Sequence, residues 1–241
     1  MPEKIAAGNW KMNGLSADLS ELELIAAHAA TSTVVICPSA ALLSRAADTV
    51  SGRMSVGGQD CHGAQSGAHT GDTSATMIKD AGAAYVIVGH SERRADHGET
   101  SETVKAKAQA GLDAGLTPIV CIGETLAERE AGQTLEIVAS QLSASLPDGG
   151  SVVVAYEPVW AIGTGLTATP DQIAEVHTAM RQQLADIRDD GADIPLLYGG
   201  SVKAANAAEI FAVPDVNGAL VGGASLKAAD FIPIIQALDV S

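Results

Sequence analysis

Glu157 closes an apolar, β-branched run, 151–156, and is followed by Pro158, Val159 and Trp160 and then by a loop holding Gly163 and Gly165. A run of that kind, bounded by Gly149-Gly150 and Pro158, reads as a buried parallel strand that delivers a carboxylate to its end. A charge placed there is costly unless it is paired or used, and the hinged, glycine-rich loop after it is how a lidded active site would be written. Asn9 and Lys11 stand two apart after the first apolar run, so on an extended strand an amide and an ammonium would share a face. His90 follows Val88-Gly89 at another strand end and opens a helical turn. The partial positive charge of a helix N-terminus disfavours the imidazolium, which makes a neutral donor the expected form. Glu92, next to Arg93 and Arg94, reads equally well as an exposed ion pair.

Two further stretches, Tyr198-Gly199-Gly200-Ser201 and Val221-Gly222-Gly223-Ala224-Ser225, have the form strand, paired glycine, helix start. That form presents backbone N–H groups to an anion such as phosphate. Weaker candidates complete the set. Glu124 and Glu157 could form the two carboxylates of a glycosidase, but aromatic residues make up only 3% of the chain, which disfavours a sugar-stacking cleft. Cys121 sits inside an apolar run and is expected to pack rather than react. His62 and His69 lie in a long aperiodic loop, 59–74, in which no third metal ligand follows at useful spacing. A loop of that length in a compact domain is usually functional or an interface.

These groups need strand ends to hold them, and the sequence supplies eight. Short apolar runs at 4–7, 33–37, 54–57, 85–88, 117–122, 152–156, 196–198 and 218–221 are each followed by a turn and a helical stretch. Leu19, Leu22, Ile25 and Ala29 fall on one helical face, as do Ile173, Val176, Met180, Leu184 and Ile187. Thr169-Pro170-Asp171-Gln172 and Thr125-Leu126-Ala127-Glu128 are capping boxes. Strand and helix alternating eight times predicts an α/β fold, a (β/α)8 barrel with a parallel sheet, in which chemistry belongs at the carboxyl ends of the strands. No GxGxxG follows the first strand, so the open dinucleotide-binding sheet is disfavoured.

The chain of 241 residues has no linker-like stretch, and residues 1–241 are expected to form a single domain. A formal net charge of −15 argues against nucleic acid or an anionic membrane as partner, so any anionic ligand must be held locally. Cys37, Cys61 and Cys121 are odd in number and far apart, which fits a reducing compartment. With no signal-like amino terminus and no apolar run near eighteen residues, a cytoplasmic location is the expectation.

Taken together and in order, Gly8-Asn9-Trp10-Lys11-Met12-Asn13, Gly89-His90-Ser91-Glu92-Arg93, the segment from Ala155 to Gly165, Tyr198-Gly199-Gly200-Ser201 and Gly222-Gly223-Ala224-Ser225-Leu226 resemble the triosephosphate isomerase family. The resemblance implies a homodimeric enzyme of glycolysis and gluconeogenesis that interconverts dihydroxyacetone phosphate and D-glyceraldehyde 3-phosphate, with no cofactor and no metal. It implies that Glu157 is the base, His90 the imidazole that polarises the carbonyl, Lys11 the ammonium that stabilises the enediolate, and Asn9 a nearby donor. Glu92 would order Lys11 and the turn at His90, and backbone N–H groups of Gly163, Ser201, Gly222 and Gly223 would hold the phosphate. Thr70 would reach into the partner subunit. Two stretches depart from the family pattern: His69-Thr70-Gly71-Asp72 replaces an aromatic residue followed by Thr-Gly-Glu, and Leu166 stands where lysine is common in the second lid hinge. The alternatives on the same scaffold are another phosphosugar aldose/ketose isomerase and a non-catalytic phosphate-binding barrel.

Overall fold

The computed structural model describes residues 2–163 and 166–241. Eight strands form a closed parallel barrel in sequence order: β1 Ile5–Asn9, β2 Thr33–Cys37, β3 Ser55–Gly58, β4 Tyr85–Val88, β5 Thr117–Ile122, β6 Val153–Tyr156, β7 Leu196–Tyr198 and β8 Gly218–Val221. Ile5 pairs with Thr33 on one side and with Gly218 on the other, which closes the ring. Both faces of each strand are covered, and this is why the strands read as unbroken apolar runs rather than as alternating ones. Within a strand the side chains still alternate. Ile5, Ala7, Val35, Cys37, Ile87, Ile119, Cys121 and Leu220 fill the barrel, while Ala6, Val34, Ile36, Val88 and Val120 pack outward against the helices. Aliphatic and thiol groups fill most of the interior, with Tyr85 packed against them, and the fit is close: a Cβ added at Gly57 would meet the Cys37 sulfur at 2.7 Å.

The described helices are α1 Leu19–Ala27, α2 Leu43–Val50, α3 Ala75–Asp80, α4 Ser91–His97, α5 Ser101–Asp113, α6 Leu126–Glu130, α7 Thr134–Ser145, α8 Pro170–Ile187, α9 Ala207–Phe211 and α10 Ala228–Asp239. Both expected capping boxes form. Thr169 accepts from the Gln172 N–H at 3.3 Å and returns its own N–H to the Gln172 side chain at 3.0 Å, and Thr125 does the same with Glu128. On α8, Ile173, Val176, Met180 and Leu184 are buried, whereas Ile187 ends the helix and is 48% exposed. On α1 the helix stops at Ala27, so Ala29 lies outside it and Ala26 takes the buried position. Ile187 is the last residue of α8 and Ala29 stands two residues beyond α1, so in each case the last member of the periodic set falls outside the buried helical face.

His177, on the inner face of α8, is fully buried against the rings of Tyr156 and Tyr198, with centroids 6.0 and 6.5 Å away. Its Nδ1 lies 3.1 Å from the Asp215 carbonyl oxygen, which leaves Nε2 without a partner in apolar surroundings. Burial therefore pushes its pKa down to about 4. Between the unfolded value near 6.5 and that folded value, the unfolded chain takes up a proton that the native chain refuses, so stability is complete above about pH 6.5 and falls as pH drops. The loss from this one group is expected to reach about 3 kcal/mol near pH 4. Urea unfolding at about pH 5 and about pH 7.5 should show it in the wild type and show a smaller acid loss in His177→Phe. An identical acid loss in the variant would remove His177 from the account.

Candidate active site

At the carboxyl ends of the strands a cavity of about 480 Å³ opens, lined on one side by Asn9, Lys11, His90 and Glu157 and on the other by Gly200, Ser201, Gly222 and Gly223. Glu157 stands immediately after β6 and is 2% exposed. Its N–H donates to the Ile122 carbonyl at 2.8 Å, so the sheet ladder fixes its backbone. Glycines on both neighbouring strand ends make that approach possible. A Cβ at Gly123 would lie 1.7 Å from the Glu157 carbonyl oxygen, and one at Gly199 would lie 2.8 Å from its Cγ. The carboxylate accepts from the Ser91 N–H at 3.0 Å through Oε2 and from His90 Nε2 at 2.8 Å through Oε1.

His90 precedes α4 as its N-cap, and its Nδ1 accepts the Glu92 N–H at 3.2 Å. That contact assigns the ring proton to Nε2, the nitrogen facing the cavity. The expected suppression of the imidazolium does not hold in this arrangement. Burial of His90 does oppose the charge, but the Glu157 carboxylate against Nε2 outweighs it and raises the pKa. The N-terminal turn of α4 meets the other nitrogen, through the Glu92 N–H on Nδ1.

Lys11 departs from the expected geometry as well. β1 ends at Asn9, and Lys11 lies at φ +52°, in the left-handed region that a side-chain-bearing residue enters only under constraint, so the two residues do not share a strand face. The Asn9 side-chain oxygen instead accepts the Lys11 N–H at 2.9 Å, and Gln59 Nε2 donates to the Lys11 and Cys37 carbonyls at 2.9 Å each. Thus held, the ammonium reaches Glu92 Oε1 at 2.6 Å. Gln59 was not singled out in the sequence; its only signal was its place directly after β3.

Glu92 is thereby the partner of Lys11 and not of its neighbouring arginines. Arg93 donates to Glu99 at 2.6 Å and lies 3.0 Å from Asp60, both of which also hold the buried Lys107. Arg94 donates to the carbonyls of Gly89 and Cys121, at 2.9 and 3.1 Å, tying β4 to β5.

Glu124 is buried and accepts from Tyr156, Trp160 and Arg129 at 3.0 to 3.1 Å, while its carbonyl accepts the Val159 N–H. With three donors on its side chain it anchors the first lid hinge, and the glycosidase pairing with Glu157 falls away. Arg129 also lies 5.3 Å from the Trp160 ring centroid, a cation–π distance. Gly163 lines the cavity at φ +71°, whereas Thr164 and Gly165 lie outside the described residues. Cys121 is buried, and burial raises its thiol pKa well above the ordinary value, which suits packing and not nucleophilic attack.

The opposite wall is backbone. Gly223–Ser225 forms one tight turn after β8, with the Ser225 N–H donating to the Gly222 carbonyl at 2.9 Å. A Cβ at Gly223 would meet no protein atom within 4 Å, so that face is open to a ligand. Lys203 lines the same end of the cavity and was not among the expected residues, although it stands two positions after Ser201. In the 59–74 loop the expectation that His62 and His69 lack a third ligand is also corrected. Asp72 brings its carboxylate to them, and the three ligand atoms lie within 4.8 Å of one another.

A closed (β/α)8 barrel that brings a carboxylate, a protonated Nε2 and an ammonium to one side of a cavity, with open backbone turns on the other, defines an enzyme that moves a proton on a small anionic carbonyl compound. Residues 4–238 match the family model of triosephosphate isomerase. The chain is 63% identical over 247 residues to the triosephosphate isomerase of Ruegeria sp. (strain TM1040), covering 100% of both. It is 60% identical to that of Jannaschia sp. (strain CCS1), again over 100% of both. The crystal structure of triosephosphate isomerase from Bartonella henselae superposes with a TM-score of 0.92 at 48% identity, over 98% of each chain. The chain belongs to the triosephosphate isomerase family.

Proposed function

We propose that Glu157, His90 and Lys11 carry out the interconversion of dihydroxyacetone phosphate and D-glyceraldehyde 3-phosphate, with residues 1–241 acting as one domain. The observation that carries this reading is the convergence of Glu157 and Lys11 on the two sides of the His90 turn, at 2.8 and 2.6 Å from His90 and Glu92 respectively. Substrate entering the cavity takes the place of Glu157 at His90 Nε2. Glu157 then removes a proton from the carbon beside the carbonyl and returns it to the neighbouring carbon. His90 Nε2–H polarises the carbonyl oxygen and gives it a proton while taking one from the neighbouring hydroxyl, so that one carbon gains a carbonyl as the other loses it, and Lys11 stabilises the negative charge that develops between them. Withdrawal of Glu157 also removes the cause of the raised His90 pKa, leaving burial, which favours the neutral donor.

Glu92 holds Lys11, Asn9 holds the Lys11 backbone, and the N–H groups of Gly163, Ser201, Gly222 and Gly223 bind the phosphate. In a chain of net charge −15, backbone dipoles supply an anion site without a basic surface. The lid hinged at Glu124 and Trp160 excludes water and suppresses loss of phosphate from the enediolate. A coupled assay of the purified chain with D-glyceraldehyde 3-phosphate, with products followed by NMR, tests the reaction. Dihydroxyacetone phosphate as the main product supports it, and free phosphate or no turnover contradicts it. Gly223→Val, whose side chain would enter the ligand side of the turn without a protein clash at Cβ, is expected to raise KM about tenfold or more. An unchanged KM would move the phosphate elsewhere.

The chain forms a homodimer through the loop around Thr70. The support is the exposed tip of that loop, 65–72, together with Met12, Leu15 and Met77, which are 97%, 75% and 57% exposed in the single chain. Sedimentation at assay concentration tests it. Three buried free thiols fit a cytoplasmic location, and among the described residues no helix is long and apolar enough to cross a membrane.

A further inference from the structure

We propose that Lys203 is a substrate-capture residue, whose charge draws the phosphate dianion into the cavity and takes no part in the proton transfer. The proposal rests on the reading that the phosphate lies against Ser201, Gly222 and Gly223. Two lysines border the cavity, Lys11 and Lys203. The Lys11 ammonium is 2.6 Å from Glu92 Oε1, and a pair that close presents little net charge to an arriving anion. Lys203 is exposed, and among the described residues its ammonium holds no hydrogen bond or ion pair. In a chain of net charge −15 it sets an uncompensated positive charge at the end of the cavity where the backbone turns are open.

The local backbone fixes where that charge starts from. Asn206 brackets the turn: its Oδ1 accepts the Lys203 N–H at 2.8 Å, and its Nδ2 donates to the Ser201 carbonyl at 3.1 Å. The Lys203 carbonyl in turn accepts the N–H groups of Asn206 and Ala207, at 3.1 and 3.0 Å. Lys203 follows Ser201 by two positions, so their Cα atoms are at most about 7 Å apart. The flexible four-carbon stem then lets the ammonium range over the neighbouring phosphate position.

Backbone N–H groups and a side-chain cation divide the work by range. The N–H groups act only within hydrogen-bond reach and hold a phosphate that has arrived, whereas a charge acts over roughly a Debye length, about 30 Å at about 0.01 M ionic strength. Lys203 therefore offsets the repulsion of an acidic chain while the substrate approaches. A phosphate monoester carries close to two negative charges near pH 8. One unit charge about 8 Å from it in water changes association about fourfold at about 0.01 M ionic strength and less than about 1.5-fold at about 0.5 M.

The test is kcat and kcat/KM for D-glyceraldehyde 3-phosphate at both ionic strengths, in the wild type and in Lys203→Met, Lys203→Glu and Lys203→Arg. Lys105→Met is the control, a lysine on α5 paired with Asp148, whose loss changes the net charge equally. At the lower ionic strength Lys203→Met should lose about fourfold in kcat/KM and Lys203→Glu about fifteenfold, and both losses should shrink at the higher. Lys203→Arg and Lys105→Met should stay near the wild type, with kcat within about twofold throughout. An undiminished kcat/KM in Lys203→Met, a loss that salt does not reduce, an equal loss in Lys105→Met, or a kcat that falls with kcat/KM would each overturn the proposal and leave the proposed reaction standing. A wild type without turnover removes both.

Discussion

Glu157→Asp is expected to lower kcat about 10²-fold while leaving KM within a few-fold, because the shorter side chain withdraws the carboxylate by about 1 Å from the carbon it must reach. The barrel does not let the backbone follow to make up the distance. The Glu157 N–H is in the sheet ladder at 2.8 Å from the Ile122 carbonyl, and Gly123 and Gly199 press against it so closely that neither position has room for a methyl group. Whatever is lost in length is therefore lost at the reacting end. The fold should survive, since aspartate keeps the charge and the Ser91 N–H remains nearby. Steady-state kinetics with parallel thermal unfolding separates the two effects, and an unchanged kcat would sink the base assignment.

Lys11→Met should cost about 10² to 10³ in kcat, the scale for removing one preorganised group from a developing oxyanion. Methionine keeps the length of the side chain and loses its charge. Glu92, left without its 2.6 Å partner, is 51% exposed and is solvated by water, so little stability is expected to follow. Lys11 has its backbone constrained by Asn9 and Gln59, and this holds for any side chain at the position. A variant with near-normal kcat and a lowered Tm would make Lys11 a structural residue only.

The eight strand runs were legible because burial of both strand faces writes itself locally, as short aliphatic segments closed by glycine or proline. The strand boundaries shifted by no more than two residues, at the end of β1. The functional groups at strand ends were legible for the same reason. What sequence could not show was which groups meet across the barrel. Glu92 has two arginines beside it and chooses a lysine 81 residues away. The low aromatic content disfavoured Glu124 as a second catalytic carboxylate, but its actual role as the acceptor for Tyr156, Trp160 and Arg129 left no mark in the sequence. Gln59 and the positive φ of Lys11 belong together, and neither leaves a mark in periodicity. His177 reads as polar in sequence, and only the packing of Tyr156 and Tyr198 makes it a buried neutral ring. The 59–74 loop shows the same limit, because a turn and not a regular element brings Asp72 to His62 and His69.

The most direct test of the central claim is the conversion of dihydroxyacetone phosphate in D₂O by the wild type and by Glu157→Gln, read as deuterium at C2 of the D-glyceraldehyde 3-phosphate formed. If Glu157 carries the proton between the two carbons and exchanges it with solvent, the wild-type product acquires deuterium at C2, and both conversion and labelling fall together by about 10² or more in the variant. Conversion and labelling at the wild-type rate in Glu157→Gln would contradict the account.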